Sequence, residues 1–191
     1  MRFPDSARIE IGDGADLSIY HDGSNSYIYD NGTGNLTLRA ENLVVCDTDF
    51  TNLITTAADA AVTLYYNGSA KIATTDTGAQ ITGTILATTD TDTSNTGSVT
   101  LDFQANQNFI LTLTGDLTLA NPSTEQTGQS GIIVFIQDGT GSRTLSLGTD
   151  YETAAAGGIT LSTAADAVDI VPYFVQSAGN ILLGAVQKAF S

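Results

Sequence analysis

The sequence predicts an all-β protein, and three observations carry that prediction. Apolar and polar residues alternate with period two through short runs, clusters of Gly, Asn, Asp and Ser separate those runs, and helix formers are scarce, with one Met and six Lys plus Arg in 191 residues. Charged residues make up 14% of the chain, so hydroxyls and amides must supply most surface polarity, which suits strands and turns. The length allows one large β domain or two small ones. A formal charge of -15 repels a phosphate backbone, so nucleic acid is not an expected partner.

Arg8, Ile9, Glu10 and Ile11 alternate, and Gly12-Asp13-Gly14 turns the chain. Leu17 and Ile19 alternate with Ser18 and Tyr20, Asp22-Gly23 breaks the run, Ser26 to Tyr29 resumes it, and Asn31-Gly32-Thr33-Gly34 breaks it again. Asp-Gly and Asn-Gly between alternating runs signal hairpins, because these residues accept the positive φ that tight turns demand. Leu36 and Leu38 restore the apolar face as a further strand. Residues 40–54 read as one strand and a loop. Ala61 to Ser69 then repeats Asp16 to Ser24 at an offset of 45, with the tyrosine, glycine and serine identical. This second copy continues through Lys71-Ile72-Ala73, turns at Asp76-Thr77-Gly78, and runs on through Ile81 and Ile85.

A repeated hairpin unit with one thin apolar face is marginal alone in water. Residues 1–88 are therefore expected to form a β-hairpin repeat shaft. Copies of the chain wrapped about a common axis would gather Leu17, Ile19, Leu36, Leu38, Val62 and Leu64 into a shared core. A homotrimer is expected, although no spacing supplies the number three.

Between Thr88 and Ser98 no residue is apolar, and residues 89–98 are expected to be a polar linker. Beyond it, eight strands separated by turn signals are expected at Val99 to Phe103, Phe109 to Leu113, Leu117 to Leu119, Gly131 to Gln137, Arg143 to Leu147, Ile159 to Leu161, Val168 to Val175 and Asn180 to Val186. They read as a β-sandwich or jelly-roll-like knob over residues 99–191. Ile132 to Ile136 is apolar on both faces, as for a central strand covered from two sides or by a neighbouring subunit.

Motifs that suggest chemistry have stronger structural readings. Gly139-Thr140-Gly141-Ser142-Arg143 lacks the G-K-[ST] end of a P-loop and reads as a turn. His21 is the lone histidine. It could join Ser24 or Ser26 and Asp22 only on paper, because neighbours along a strand face opposite ways. No catalytic residue, cofactor or metal site is assigned. Asp47-Thr48-Asp49 and Asp90-Thr91-Asp92 could hold Ca²⁺ only if several chains converged, and read as solvated loop. Cys46 reads as a small buried hydrophobe beside Val44 and Val45. Tyr20, His21, Tyr27, Tyr29, Tyr65 and Tyr66 could make an aromatic surface for stacking on sugars, or a second packed face of the shaft, the reading preferred here. Met1 to Asp5 is followed by no apolar run, so no secretory leader is expected. The longest apolar run falls far short of the ~20 residues of a membrane span. A soluble protein made in a cytoplasm is expected.

Asp16 to Ile28, Asn31 to Leu36 and Leu64 to Lys71 resemble repeats of virion structural and tail-fibre proteins from tailed bacteriophages, especially those of marine bacteria. Phe109 to Gly115, Asn121-Pro122, Gly128 to Gly131 and Gln137 to Leu145 resemble a domain common at the C-termini of the same proteins. The resemblance implies a non-enzymatic virion component made in the host cytoplasm, a short fibre or fibre-like part in host attachment. Its partners would be other copies of itself, other virion proteins, and a host-surface glycan or protein met through loops such as Gly148 to Gly158. A capsid decoration or tail adaptor without a receptor stays open, as does a carbohydrate-binding module.

Overall fold

The computed structural model describes residues 3–190. Met1, Arg2 and Ser191, the ends of the expected shaft and knob, lie outside the described residues. Strands dominate the fold, and the one helical element among the described residues is a single 3-10 turn at Ala154–Ala156. The chain divides into two compact units between Thr84 and Ile85.

The N-terminal unit is built from antiparallel meanders. In the first, β1 (Arg8–Ile11), β2 (Leu17–His21) and β3 (Ser26–Asp30) pair in order. In the second, β4 (Leu43–Cys46), β5 (Asn52–Thr56), β6 (Val62–Tyr66), β7 (Ser69–Thr75) and β8 (Gly78–Ile81) do the same. Turn chemistry explains the reversals. Asn67 and Gly68 link β6 to β7 with φ of 49° and 71°, the paired positive values of a two-residue hairpin that follows strand twist. Between β2 and β3 the Asp22 side chain accepts from the backbone N–H groups of Ser24 and Asn25 at 2.8 and 2.7 Å, closing a longer turn.

Leu36 and Leu38 depart from expectation. Residues 35–40 form no strand, and the two leucines are 44% and 64% exposed. Alternation makes a segment amphipathic, but a strand also needs a neighbouring backbone to complete its ladder. Cys46 is likewise exposed rather than buried. The cause is general to this unit: its sheets are uncovered, and Ser18 is the one buried residue among its described residues.

The C-terminal unit is one connected eight-stranded sheet. It comprises β9 (Thr89–Thr100), β10 (Asn108–Ala120), β11 (Ser130–Gln137), β12 (Leu145–Leu147), β13 (Tyr151–Thr153), β14 (Val168–Ser177), β15 (Asn180–Leu183) and β16 (Gln187–Phe190). Residues 89–98, expected as a linker, belong to β9, which runs parallel to β10 along its length. Its Thr, Asp and Ser side chains need no burial, because the backbone supplies the pairing. The expected strands at Phe109 to Leu113 and Leu117 to Leu119 are one strand, and the Thr114-Gly115-Asp116 turn signal marks a bulge inside it. There Leu113 faces Asn95 while Leu117 faces Gly97. Ile159 to Leu161 is not a strand, although Leu161 is buried. Tyr151–Thr153 is a strand that alternation did not mark.

The parallel β9–β10 pair must bend. Asn108 lies opposite Thr89, so the chain leaving Thr100 has to return to the start of the pair. The segment 101–107 spans at most about 28 Å when extended, whereas the eleven steps from Thr89 to Thr100 would cover about 36 Å if straight. Bending at the bulge lets the first half of β10 pair with β11 and the second half with β12. The inward row Phe109, Leu111, Leu113, Leu117 and Leu119 then lines one core with Ile133, Phe135, Val171, Tyr173, Val175 and Ile181. Phe103, from the return segment, packs edge-on against Phe109 and Tyr173 at 5.1 and 5.2 Å between ring centres. The other face of β11 is uncovered at Ile132, which is 39% exposed.

Candidate interaction surfaces

The sheets of the N-terminal unit carry apolar rows that run across the strands. In the first sheet Ile9 faces Ile19, and Ile19 faces Ile28. In the second, Val45 faces Ile54, Ile54 faces Leu64, Leu64 faces Ile72, and Ile72 faces Ile81. Every member of the second row is between 37% and 44% exposed. Directly opposed side chains are the unit of sheet stabilisation, at about 0.2–1 kcal/mol per pair, but such rows bury little until something covers them.

Of the six residues expected in a shared core, Leu17 and Ile19 share the row face of the first sheet, and Val62 and Leu64 share that of the second. Leu36 and Leu38 lie on neither sheet. Within the chain Leu17 is half-buried and the other five are exposed. Val45, Ile54, Ile72 and Ile81 were missed. A signal existed: Ile9 and Ile54 are separated by the same 45 residues as Ile19 and Leu64, so the repeat extends one strand further towards the N-terminus.

The six aromatic candidates do not share a face. Tyr20 and Tyr27 stack at 4.7 Å with 16° between their planes, and the Arg8 guanidinium sits 4.0 Å from the Tyr20 ring centre. Tyr29 is on this face too, two residues from Tyr27 and opposite Ser18. His21 alternates to the other side with Ile19, its Nδ1 3.1 Å from Ser26 Oγ. In the second sheet the Tyr65 hydroxyl is 3.2 Å from Thr55 Oγ1, and Tyr66 is 73% exposed. Asp22 does not orient His21. Its carboxylate accepts from Asn25, Ser24 and, at 2.9 Å, the Tyr27 hydroxyl, bonds that hold its pKa below the usual carboxylate value and raise that of Tyr27.

In the C-terminal unit the glycine-rich 138–143 loop is tied to itself. Arg143 donates to both Asp138 oxygens, at 2.8 Å from Nη2 and 3.2 Å from Nε, while Asp138 Oδ1 also accepts from the N–H groups of Thr140 and Gly141. The Gln137 amide closes the loop, donating to the Arg143 carbonyl at 2.9 Å and accepting from its N–H at 2.8 Å. The donors that a phosphate would require are thus engaged. Arg143 holds the Asp138 carboxyl below its usual range, and Asp138 in turn raises Arg143. The expected receptor loop lines a groove of about 370 Å³, with Gly148, Glu152, Thr153 and Gly158 at its surface. Tyr151 beside it is buried with an unpartnered hydroxyl, and burial raises its pKa. Among the described residues, no three His, Cys, Asp or Glu side chains gather where they could hold a metal ion.

Residues 87–180 match the family described as "Putative phage tail fibre C-terminal domain". The C-terminal half belongs to a phage tail-fibre family. The match takes in the whole of β9, so the polar stretch at 89–98 is part of the tail-fibre domain and not a connection leading to it. No curated protein and no solved structure matches the chain. A tail-fibre domain marks a structural part of a phage virion, and among the described residues no helix is long and apolar enough to cross a membrane.

Proposed function

We propose that the chain is a non-enzymatic fibre component of a phage tail that self-associates, as a homotrimer, and serves host attachment. The observation that carries this reading is the joining of a tail-fibre domain to sheets that bury almost nothing within one chain. A fibre is built by repeating chains along and around an axis, and uncovered sheets need such neighbours. Its partners are further copies of itself, the virion proteins it is mounted on, and a host-surface glycan or protein. The groove beside Gly148 to Gly158 supports a receptor role for the tail-fibre domain, since a concave surface with a carboxylate at Glu152 and a hydroxyl at Thr153 can accept and orient sugar hydroxyls.

Electron imaging of intact particles labelled with an antibody to this chain tests the reading, paired with competition of host adsorption by the purified protein. Label at the tail and slowed adsorption are expected. Label spread over the capsid would replace it with a decoration protein. Label at the tail without competition would make the chain an adaptor.

A further inference from the structure

The row Val45, Ile54, Leu64, Ile72 and Ile81 crosses all five strands of the second sheet, one residue per strand, at matched register. We infer that this row is a seam at which the sheet turns its face inward and packs against the same row of the other copies of the chain. The inference rests on the self-association proposed above and names the surface that carries it.

Three features point to a copy of this chain as the occupant. The first is charge. Lys71 is the one charged residue in β4 to β8, and it is the unpaired residue of a bulge between Ala70 and Ile72, so every residue that stands in register along the row and beside it is uncharged. In a chain of net charge -15, copies repel wherever their acidic surfaces meet. The row face is where they can approach without that repulsion, and a partner of opposite charge would find nothing there to pair with. The second feature is register. Thr56 lies two residues from Ile54 on the same face, so a slip of two residues towards it would set Ile54 against a polar side chain. A transverse row therefore selects copies aligned at the same level. The third is the sheet's edges: β4 and β8 are only four residues long and offer little for edge pairing, which leaves the faces as the larger unsatisfied surface. The first sheet repeats the arrangement with Ile9, Ile19 and Ile28, so a copy that presents one row presents the other.

The test uses the full chain with the exposed Cys46 replaced by serine, and a nitroxide spin label at Leu64→Cys, the middle of the row, or at Val44→Cys. Val44 is on the opposite face and is 53% exposed against 39% for Leu64, so random collision favours the control. Light scattering of the unlabelled chain is measured in parallel. The expected result is a mass that is a multiple of the chain, with strong dipolar broadening from the label at 64 and weak broadening at 44. A labelled Leu64→Cys chain that falls to monomer while the labelled Val44→Cys chain stays assembled supports the seam equally. Broadening at 44 equal to or stronger than at 64, in an assembled protein, overturns the seam and leaves self-association standing. A monomeric mass for the unlabelled chain at every concentration removes self-association itself.

Discussion

Asp169 in β14 holds Ser162 twice. Its Oδ2 accepts the Ser162 backbone N–H at 2.5 Å and its Oδ1 accepts the Ser162 hydroxyl at 2.7 Å. Oδ1 also accepts the Ala189 N–H at 2.9 Å, so one side chain that is 2% exposed ties a loop and the C-terminal strand β16 to the core strand. A buried polar group of this kind is tolerated because its hydrogen bonds are made, and it is costly to lose because several donors are left unpaired together.

Asp169→Ala should therefore destabilise the C-terminal unit by roughly 2–4 kcal/mol, and Asp169→Asn by less, since the amide keeps one acceptor oxygen. Thermal melting followed by near-ultraviolet circular dichroism gives the order wild type, Asn, Ala. Faster hydrogen exchange at the Ala189 N–H in both variants checks that β16 is released.

Gly131 is required for a close approach and not for its φ. A Cβ there would lie 2.1 Å from the Gln107 carbonyl oxygen and 3.0 Å from the Tyr173 hydroxyl, which itself donates to that carbonyl at 2.6 Å. Gly131→Ala should cost about 1–3 kcal/mol by forcing β11 away from the 101–107 return segment. A variant that melts at the wild-type temperature would show that this segment shifts freely.

The 138–143 loop should loosen in acid. The Asp138 carboxyl is held below its ordinary value of 3.8 in the folded protein, first by Arg143, so the folded state binds its proton less readily than the unfolded chain. Its contribution is full above about pH 3.8 and is lost as pH falls through the lowered folded value. Nuclear magnetic resonance of the Gly141 N–H between pH 2 and 6 should show the change in wild type and not in Asp138→Asn. High salt should weaken it only in part, because the bond is bidentate.

The 85–191 fragment should melt cooperatively, whereas 99–191 should be less stable or fail to fold. The shorter fragment removes residues 89–98 of β9, which pair with β10 from Asn108 to Thr118. Circular dichroism of both fragments decides the point, and equal melting would make β9 dispensable.

Much of the strand inventory was legible in the residues. Period-two alternation placed β2, β3 and β6, apolar runs between turn signals placed β11 and β14, and Asn67-Gly68 marked its hairpin, because face preference and turn conformation are local properties of a few neighbouring side chains. The repeat at an offset of 45 was likewise visible. What sequence could not show is where backbone pairs with backbone. Leu36 and Leu38 alternate correctly yet have no neighbouring strand, while residues 89–98 have no hydropathy signal yet belong to β9, nine of whose twelve residues pair with β10. Backbone hydrogen bonds are indifferent to side-chain polarity, so no residue pattern announces them. The same holds for the rows: Ile54, Leu64 and Ile72 are far apart in the chain, and only the register of three strands makes them one surface. The bend of β10, which folds its row of five buried side chains onto one core, was set by the short return through Phe103, a tertiary constraint on chain reach.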